Sequence, residues 1–346
     1  MENRRLETKE WLEGKELLIT GGTGTLGKAL LKELINYRLK GLRILSRDEF
    51  KQWTMKTELA EEIQTAPFPI AFFIGDVRDR DRLTQAFKGV NIVIHTAAMK
   101  QIESCEYNPL EATLTNVKGT ENVCKEAIAC DVAQVMFIST DKAVYPINFY
   151  GTTKALAEKT VIKANVYSPH QTQFNVCRYG NVLGSRGSVI QVFQDQLKAN
   201  KPMTITERSM TRFWISSSFM ARFILNNLSL DTRGVIFVPQ MKAASILDIA
   251  GYVHSVSPVH NHKVDKEICL KEIGIRKGEK IHECLISNEE LENTRLGEFS
   301  YMILNKDFHN EELKKTSAPI IGLVGGYTSE NAPELTKNEL EEMINE

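Results

Sequence analysis

Short apolar runs recur along the first half of the chain, separated by stretches of helical period. ELLIT (16–20), LRILS (42–46), IAFFIG (70–75), NIVIHTA (91–97) and QVMFIST (134–140) are rich in Ile, Val, Leu and Phe and predict buried strands. Between them, LGKALLKELINYR (26–38) and ATLTNVKGTENVCKEAIAC (112–130) predict helices. Strand and helix alternating in this way imply right-handed crossovers and a parallel sheet covered on both faces. QFNVCRYGN (173–181) supplies a sixth strand, so the expected fold class is α/β with a doubly wound parallel sheet. After residue 181 the rhythm weakens. GVIFVP (234–239) reads as a strand and SILDIAGYVHSV (245–256) as a helix, followed by Lys/Glu-rich sequence. The N-terminal MENRRLETKEWLEGK is polar and is expected on the surface, with Trp11 docked. The tail from about Glu312 carries Gly, Pro and charges and is expected to be loosely held.

Bulk properties narrow the function classes. The 346 residues exceed the roughly 100–200 of one ordinary domain. An apolar fraction of 42% and a charged fraction of 25% provide for an ample core. A net charge of −1 with intermixed signs points to neither nucleic acid nor an anionic membrane as partner. The six cysteines form no CxxC pair and no zinc-ligand spacing, and no signal peptide is seen, so reduced thiols and a cytoplasmic location are expected. No apolar run approaches the ~20 residues of a membrane span, and no metal site is read.

The first chemical motif is TGGTGTLG, Thr20 to Gly27. Its glycines Gly21, Gly24 and Gly27, with Thr23, Thr25 and Leu26 among them, join a predicted strand to a predicted helix. Glycines so placed let the backbone approach a pyrophosphate at the positive helix N-terminus, the Rossmann arrangement. At the end of the second strand stand Ser46 and Arg47, with Lys51 one turn on. A guanidinium suits a ribose 2′-phosphate, which favours NADP over NAD, although Asp48 offers an acid for NAD. Asp76 and Val77 follow the third strand, where an adenine would lie. Ala97, Ala98, Met99 and Lys100 follow the fourth, with small residues where backbone must pass the cofactor closely. Tyr150 and Lys154 lie one helical turn apart, a common hydride-transfer pair, and Asp141-Lys142 directly follows a predicted strand. His95, inside an apolar strand, reads as a core histidine.

TGGTGTLG, HTAAMK, FISTDKAV, YGTTK and RYGNVLGSRGSV together resemble the extended short-chain dehydrogenase/reductase family acting on nucleotide-activated sugars. MKQIESCEYNP (99–109), STDKAV, SMTRFWI (209–215) and IRKGEKIHE (275–283) are similar, more narrowly, to its inverting UDP-N-acetylglucosamine 4,6-dehydratases. The resemblance runs from about residue 14 to about residue 290. One departure is Tyr145, where related sequences carry a small polar residue.

The resemblance implies NADP-dependent removal of water across carbons 4 and 6 of UDP-N-acetylglucosamine with inversion at carbon 5. The product would be a UDP-2-acetamido-2,6-dideoxy-4-keto-L-hexose for cell-surface sugar synthesis, such as nonulosonic acid or capsule. Tyr150 would take the carbon 4 hydroxyl proton, its phenolate favoured by Lys154, with both also touching cofactor. Lys142 would be the base at carbon 5, Asp141 the acid at carbon 6, and Thr140 a hydrogen-bond partner of the carbon 4 oxygen. Lys100, Asn181, Arg186, Thr204, Arg212, Arg276 and Glu279 stand where the family contacts the uridine diphosphate. Lys280, His282 and Glu283 belong to a charge run that reads as a solvated turn. The expected division is 1–181 for dinucleotide and catalysis and 182–346 for substrate and tail, in a homo-oligomer. A nucleotide-sugar 4-epimerase, a retaining 4,6-dehydratase and a non-catalytic dinucleotide binder are the alternatives.

Overall fold

The computed structural model describes residues 2–168, 171–185, 188–256, 269–308, 310–320 and 323–345. The six strands expected in the first half all form: β1 (Glu16–Thr20), β2 (Gly41–Ser46), β3 (Ile70–Ile74), β4 (Ile92–His95), β5 (Gln134–Thr140) and β6 (Gln173–Tyr179). They pair in parallel in the spatial order β3-β2-β1-β4-β5-β6. β4 and β5 are buried along their whole lengths, as strands covered on both faces must be. The order reverses between β1 and β4, and a ligand crevice opens outside the C-terminal strand ends at such a switch point.

The second half completes this sheet and builds smaller ones around its C-terminal edge. β7 (Asn181–Val182), β9 (Thr211–Ile215) and β11 (Lys242–Ser245) form one small sheet, and β8 (Met203–Ile205) pairs with β12 (Leu270–Glu272). β10 (Ile236–Pro239) lies parallel to β6. β15 (Ser300–Ile303), β14 (Thr294–Leu296) and β16 (Ala318–Pro319) then add antiparallel strands, making ten in all. β13 (Cys284–Ile286) pairs with β17 (Tyr327–Thr328).

At the N-terminus Trp11 docks as expected, and the segment is in addition helical; at the C-terminus the expectation of a loose tail is corrected. The polar N-terminus folds as a helix, Glu2–Leu12, on the helix Ser217–Leu228. Leu12 is fully buried, and Trp11 lies against the core with the Lys15 ammonium 3.2 Å from its ring centre. The C-terminal tail is held rather than loose. Tyr327 is buried and donates its hydroxyl to the Met241 carbonyl, and the backbone at Ala243 bonds to Pro333 (2.9 Å) and Leu335 (2.7 Å). Leu335 and Leu340 close a second hydrophobic cluster around Trp214, Phe193 and Ile249. Burying a side chain of that size stabilises by about 1.5–3 kcal/mol, so a few such anchors hold a tail of mixed composition.

Candidate active site

The glycine-rich turn is shaped by contact. Gly21 has φ +67, and a Cβ there would lie 2.7 Å from the Ala97 backbone. A Cβ on Gly27 would meet the Gly22 carbonyl oxygen at 2.0 Å, so only glycine lets this helix start so close to its strand. The helix Thr25–Leu34 begins at Gly24 with no side-chain cap and no acid in its first turn. Its positive end is therefore left for an anion. Thr23 and Leu26 are buried and Thr25 half-buried on this turn.

At the end of β2, Ser46 is buried and its hydroxyl accepts from Gln52 Nε2 at 3.1 Å. Asp48 caps the next helix, its carboxylate accepting from the Lys51 backbone N–H at 3.0 Å, with Lys51 Nζ 3.3 Å away. That acid is consumed as a helix cap. Arg47 extends into solvent, 3.5 Å from Asp76. Partial burial raises the Asp76 pKa, but Arg78 and Arg47 outweigh it and hold the carboxyl below its usual range. Val77 is buried beside it, against Gly119.

β5 ends at Thr140, whose hydroxyl accepts from the Lys142 backbone N–H (3.4 Å) and starts a 3-10 turn, Asp141–Ala143. The catalytic helix, Phe149–Tyr167, is capped by Asn148, which accepts from the Gly151 N–H at 2.7 Å. Gly151 presses on this turn: a Cβ there would lie 2.1 Å from the Lys142 carbonyl oxygen. The segment from Thr140 to Lys154 thus folds back on itself and brings Thr140, Asp141, Lys142 and Tyr150 together.

Asp141 is fully buried. Its Oδ1 accepts from Thr140 Oγ1 at 2.9 Å and from Lys142 Nζ at 3.0 Å, while Oδ2 has no hydrogen-bond partner. Lys142 Nζ also lies 3.2 Å from Glu283 Oε1. Burial opposes the Lys142 charge, but Asp141 and Glu283 outweigh it, and its pKa rises. Burial, with help from Glu283, raises Asp141 against the pull of Lys142. Burial also pushes at Glu283, yet Lys142, Arg212 and Lys280 hold it below the ordinary carboxylate value.

Burial pushes the Tyr150 phenol up to about 12, with the Lys142 ammonium and a hydrogen bond to Thr140 pulling the other way. The sequence points to Lys154 as the cation favouring the phenolate; in the structure Lys142 acts on it more strongly. Lys154 is buried, donates to the Ile138 carbonyl at 2.5 Å and sits 3.9 Å from the Phe137 ring centre. Desolvation lowers its pKa to about 7, Glu158 opposing. His95 is a core histidine, held between Thr20 (2.6 Å) and Thr120 (3.0 Å).

The expected diphosphate set is only partly gathered. Lys100 stands at the rim, its pKa lowered by partial desolvation and by Lys142. Ala97 and Ala98 line the same segment, half-buried. Asn181 opens β7 directly opposite Trp214. Arg212 is buried and clamps the 280–281 segment instead. Its Nη1 donates to the carbonyls of Thr211 (2.7 Å) and Ile281 (2.9 Å), and its Nη2 donates to the Lys280 carbonyl (2.9 Å). Thr204 lies on β8, its hydroxyl accepting from Gln196. Arg276 is exposed, its backbone N–H donating to Glu279 at 3.2 Å. Arg186 lies outside the described residues.

Two residues that sequence reasoning did not place are central here. Glu283, assigned to a solvated turn, is buried against Lys142 with its backbone N–H donating to Ser329 Oγ at 2.9 Å. The apolar Cys284-Leu285-Ile286 after it was the available signal, because a residue entering such a strand is drawn inward. Asn116 sits on a π turn, Leu114–Lys118, inside the predicted helix. Its side chain bonds both backbone groups of Met99 and donates to Thr153 Oγ1 at 2.9 Å, tying the strand-end loop to the catalytic helix. Tyr145, the departure in sequence, adopts φ +43 and donates to Glu289 at 2.5 Å. With Lys280 donating to the Val144 carbonyl (2.5 Å) and Asn148 to that of Gly278 (2.8 Å), it fastens the catalytic turn to the 278–289 segment.

A model of the family described as polysaccharide biosynthesis protein matches residues 17–305. An inverting UDP-N-acetylglucosamine 4,6-dehydratase of Campylobacter jejuni is 38% identical over 343 residues, covering 96% of this chain and 98% of that protein. A UDP-glucose 4-epimerase of Rickettsia bellii is 40% identical over 337 residues, 95% of each. The X-ray structure of Pen from Bacillus thuringiensis superposes with a TM-score of 0.85 at 33% identity, covering 96% of this chain and 98% of that one. Matched over most of its length by the family model and over nearly all of it by these relatives, the chain belongs to the polysaccharide biosynthesis protein family, with the extended short-chain dehydrogenase/reductase fold.

Proposed function

We propose that this protein removes water from UDP-N-acetylglucosamine across carbons 4 and 6 and inverts carbon 5, as the name of its Campylobacter relative describes. The observation that carries the reading is the buried Asp141–Lys142 contact beside Tyr150. A 4-epimerase needs only reversible oxidation at carbon 4 and has no use for a further acid and base. Residues 1–181 hold the dinucleotide and 182–346 the uridine diphosphate. A dinucleotide held at Gly21, Gly24 and Gly27 would supply the hydride acceptor for carbon 4 and the hydride donor for carbon 6. Tyr150 takes the carbon 4 hydroxyl proton while Thr140 holds the oxygen. The resulting ketone acidifies carbon 5, Lys142 removes that proton, and Asp141 protonates the departing carbon 6 hydroxyl. A proton from the Asp141–Lys142 pair is then returned to the opposite face of carbon 5. Mass spectrometry of purified protein with UDP-N-acetylglucosamine and no added cofactor tests this: loss of one water is expected, and a mass-neutral epimer alone would refute it.

The dinucleotide we assign is NADP. Gly21, Gly24 and Gly27 admit the pyrophosphate to an uncapped helix end, Asp48 is engaged as a cap, and Arg47 and Lys51 present positive charge beside Ser46. Nucleotide released by denaturation should be mainly NADP. Arg47→Ser should weaken NADP about 10–100-fold relative to NAD, the loss of a charge-assisted hydrogen bond worth about 1.5–3 kcal/mol. Finding NAD alone in the released fraction would overturn this pocket.

A further inference from the structure

Lys142 as placed in the structure is poorly suited to be a base. Its ammonium is held between two buried carboxylates, Asp141 Oδ1 at 3.0 Å and Glu283 Oε1 at 3.2 Å. Asp141, for its part, is an acid only when it carries a proton. We propose that Asp141, Lys142 and Glu283 form a proton-sharing triad in which Glu283 is a positioning residue that keeps one proton on the Asp141–Lys142 pair. This rests on the dehydratase reading and adds to it how the acid and the base are armed together.

The proton balance is simple. Moving one proton from Lys142 Nζ to Asp141 Oδ1 along their existing contact turns an ammonium and a carboxylate into an amine and a carboxylic acid. The pair is neutral before and after, and no outside proton donor or acceptor is needed. The transfer produces the base for carbon 5 and the acid for carbon 6 in one event. Glu283 keeps its negative charge throughout and raises the affinity of both partners for the shared proton. Glu283 is itself fixed. Its backbone N–H donates to Ser329, it immediately precedes β13, and its Oε2 makes no hydrogen bond, with Lys280 Nζ 3.7 Å away. The other titratable groups acting on the triad among the described residues are Arg212 from β9, Lys280 from the loop before β13, Lys100 from the loop after β4, Tyr150 from the catalytic helix and Tyr179 from the end of β6.

A shared proton gives a bell-shaped pH profile. Dehydration fails at low pH when the pair gains a second proton, and at high pH when it loses its last; the two limbs belong to the pair as a whole. Because the Glu283 anion favours protonation in both steps, its removal must move both limbs the same way, to lower pH. The test is the single-turnover dehydration rate against pH for the cofactor-loaded wild type, Glu283→Gln and Glu283→Asp. In Glu283→Gln the whole bell should move to lower pH by about 1–3 units, the range produced by an opposite charge within about 4–6 Å. Glu283→Asp keeps the charge one methylene further back and should move it less, in the same direction. A bell of reduced height at the wild-type pH in both variants would show a merely structural carboxylate and overturn the triad. Should Glu283→Gln not fold, an unmoved Glu283→Asp profile overturns it equally. A wild type that eliminates no water in this assay would sink the dehydratase reading instead, so the two failures are distinct.

Discussion

In Lys142→Ala, dehydration should fall by about 10²–10⁴-fold, the usual cost of losing a general base, while hydride transfer from carbon 4 persists. Tyr150, Thr140 and Lys154 all remain, and none of the hydrogen bonds of Lys154 runs through Lys142. Absorbance of reduced nicotinamide in a single turnover should therefore still appear and then decay slowly. Exchange of the carbon 5 proton with deuterated solvent should slow in parallel with dehydration. The lost ammonium also raises the Tyr150 pKa further, so the oxidation step itself should weaken towards neutral pH but survive in alkali. Dehydration at the wild-type rate would remove Lys142 from the mechanism altogether.

Arg178→Met should lower unfolding stability by about 3–5 kcal/mol, the cost of removing one partner from a buried ion pair. Arg178 is buried at the end of β6. It makes two bonds to Glu158 on the catalytic helix (3.0 and 2.7 Å), two to Glu290 (2.9 and 3.0 Å), and one to the Leu285 carbonyl (2.9 Å). Methionine replaces the aliphatic stem but leaves the buried Glu158 carboxylate without its guanidinium. The same residue joins the catalytic helix to the segment carrying Glu283, so activity should fall together with stability. Urea denaturation read by circular dichroism checks it; a loss below about 1 kcal/mol would mean that solvent replaces the pair, as at exposed ion pairs.

How much of this was legible in the sequence depends on whether a residue's fate is set locally. β1, β2 and β4 to β6 were readable because strands covered on both faces are almost uninterrupted apolar runs, and β3, the partly exposed edge strand, because it too is rich in Ile and Phe; their spatial order was not read from the sequence. The glycine turn was readable because backbone contact at Gly21 and Gly27 excludes any other residue. The N-terminal helix escaped because its anchors Trp11 and Leu12 stand at the end of a stretch whose sequence is mostly charged and polar. The tail escaped for a similar reason. Tyr327, Leu335 and Leu340 are far apart in sequence, and it is the edge at Ala243 and the second cluster that give them a common destination. Glu283 was hidden by the lysines and glutamates before it. Its burial is decided by Lys142, more than a hundred residues away, and by Ser329 in the tail. Arg212 had the right residue type for a diphosphate, but type alone does not tell whether the nearest oxygens are phosphate or main chain.

We propose that the Asp141–Lys142 pair eliminates water and returns a proton to the other face of carbon 5. Proton NMR of the earliest product formed from UDP-N-acetylglucosamine in deuterated water tests it most directly. The expected product is a 4-keto-6-deoxy sugar of L configuration, with solvent deuterium at carbon 5 and the original carbon 4 hydrogen at carbon 6. An early product exclusively of D configuration, or one with its carbon 5 proton unexchanged, would contradict it.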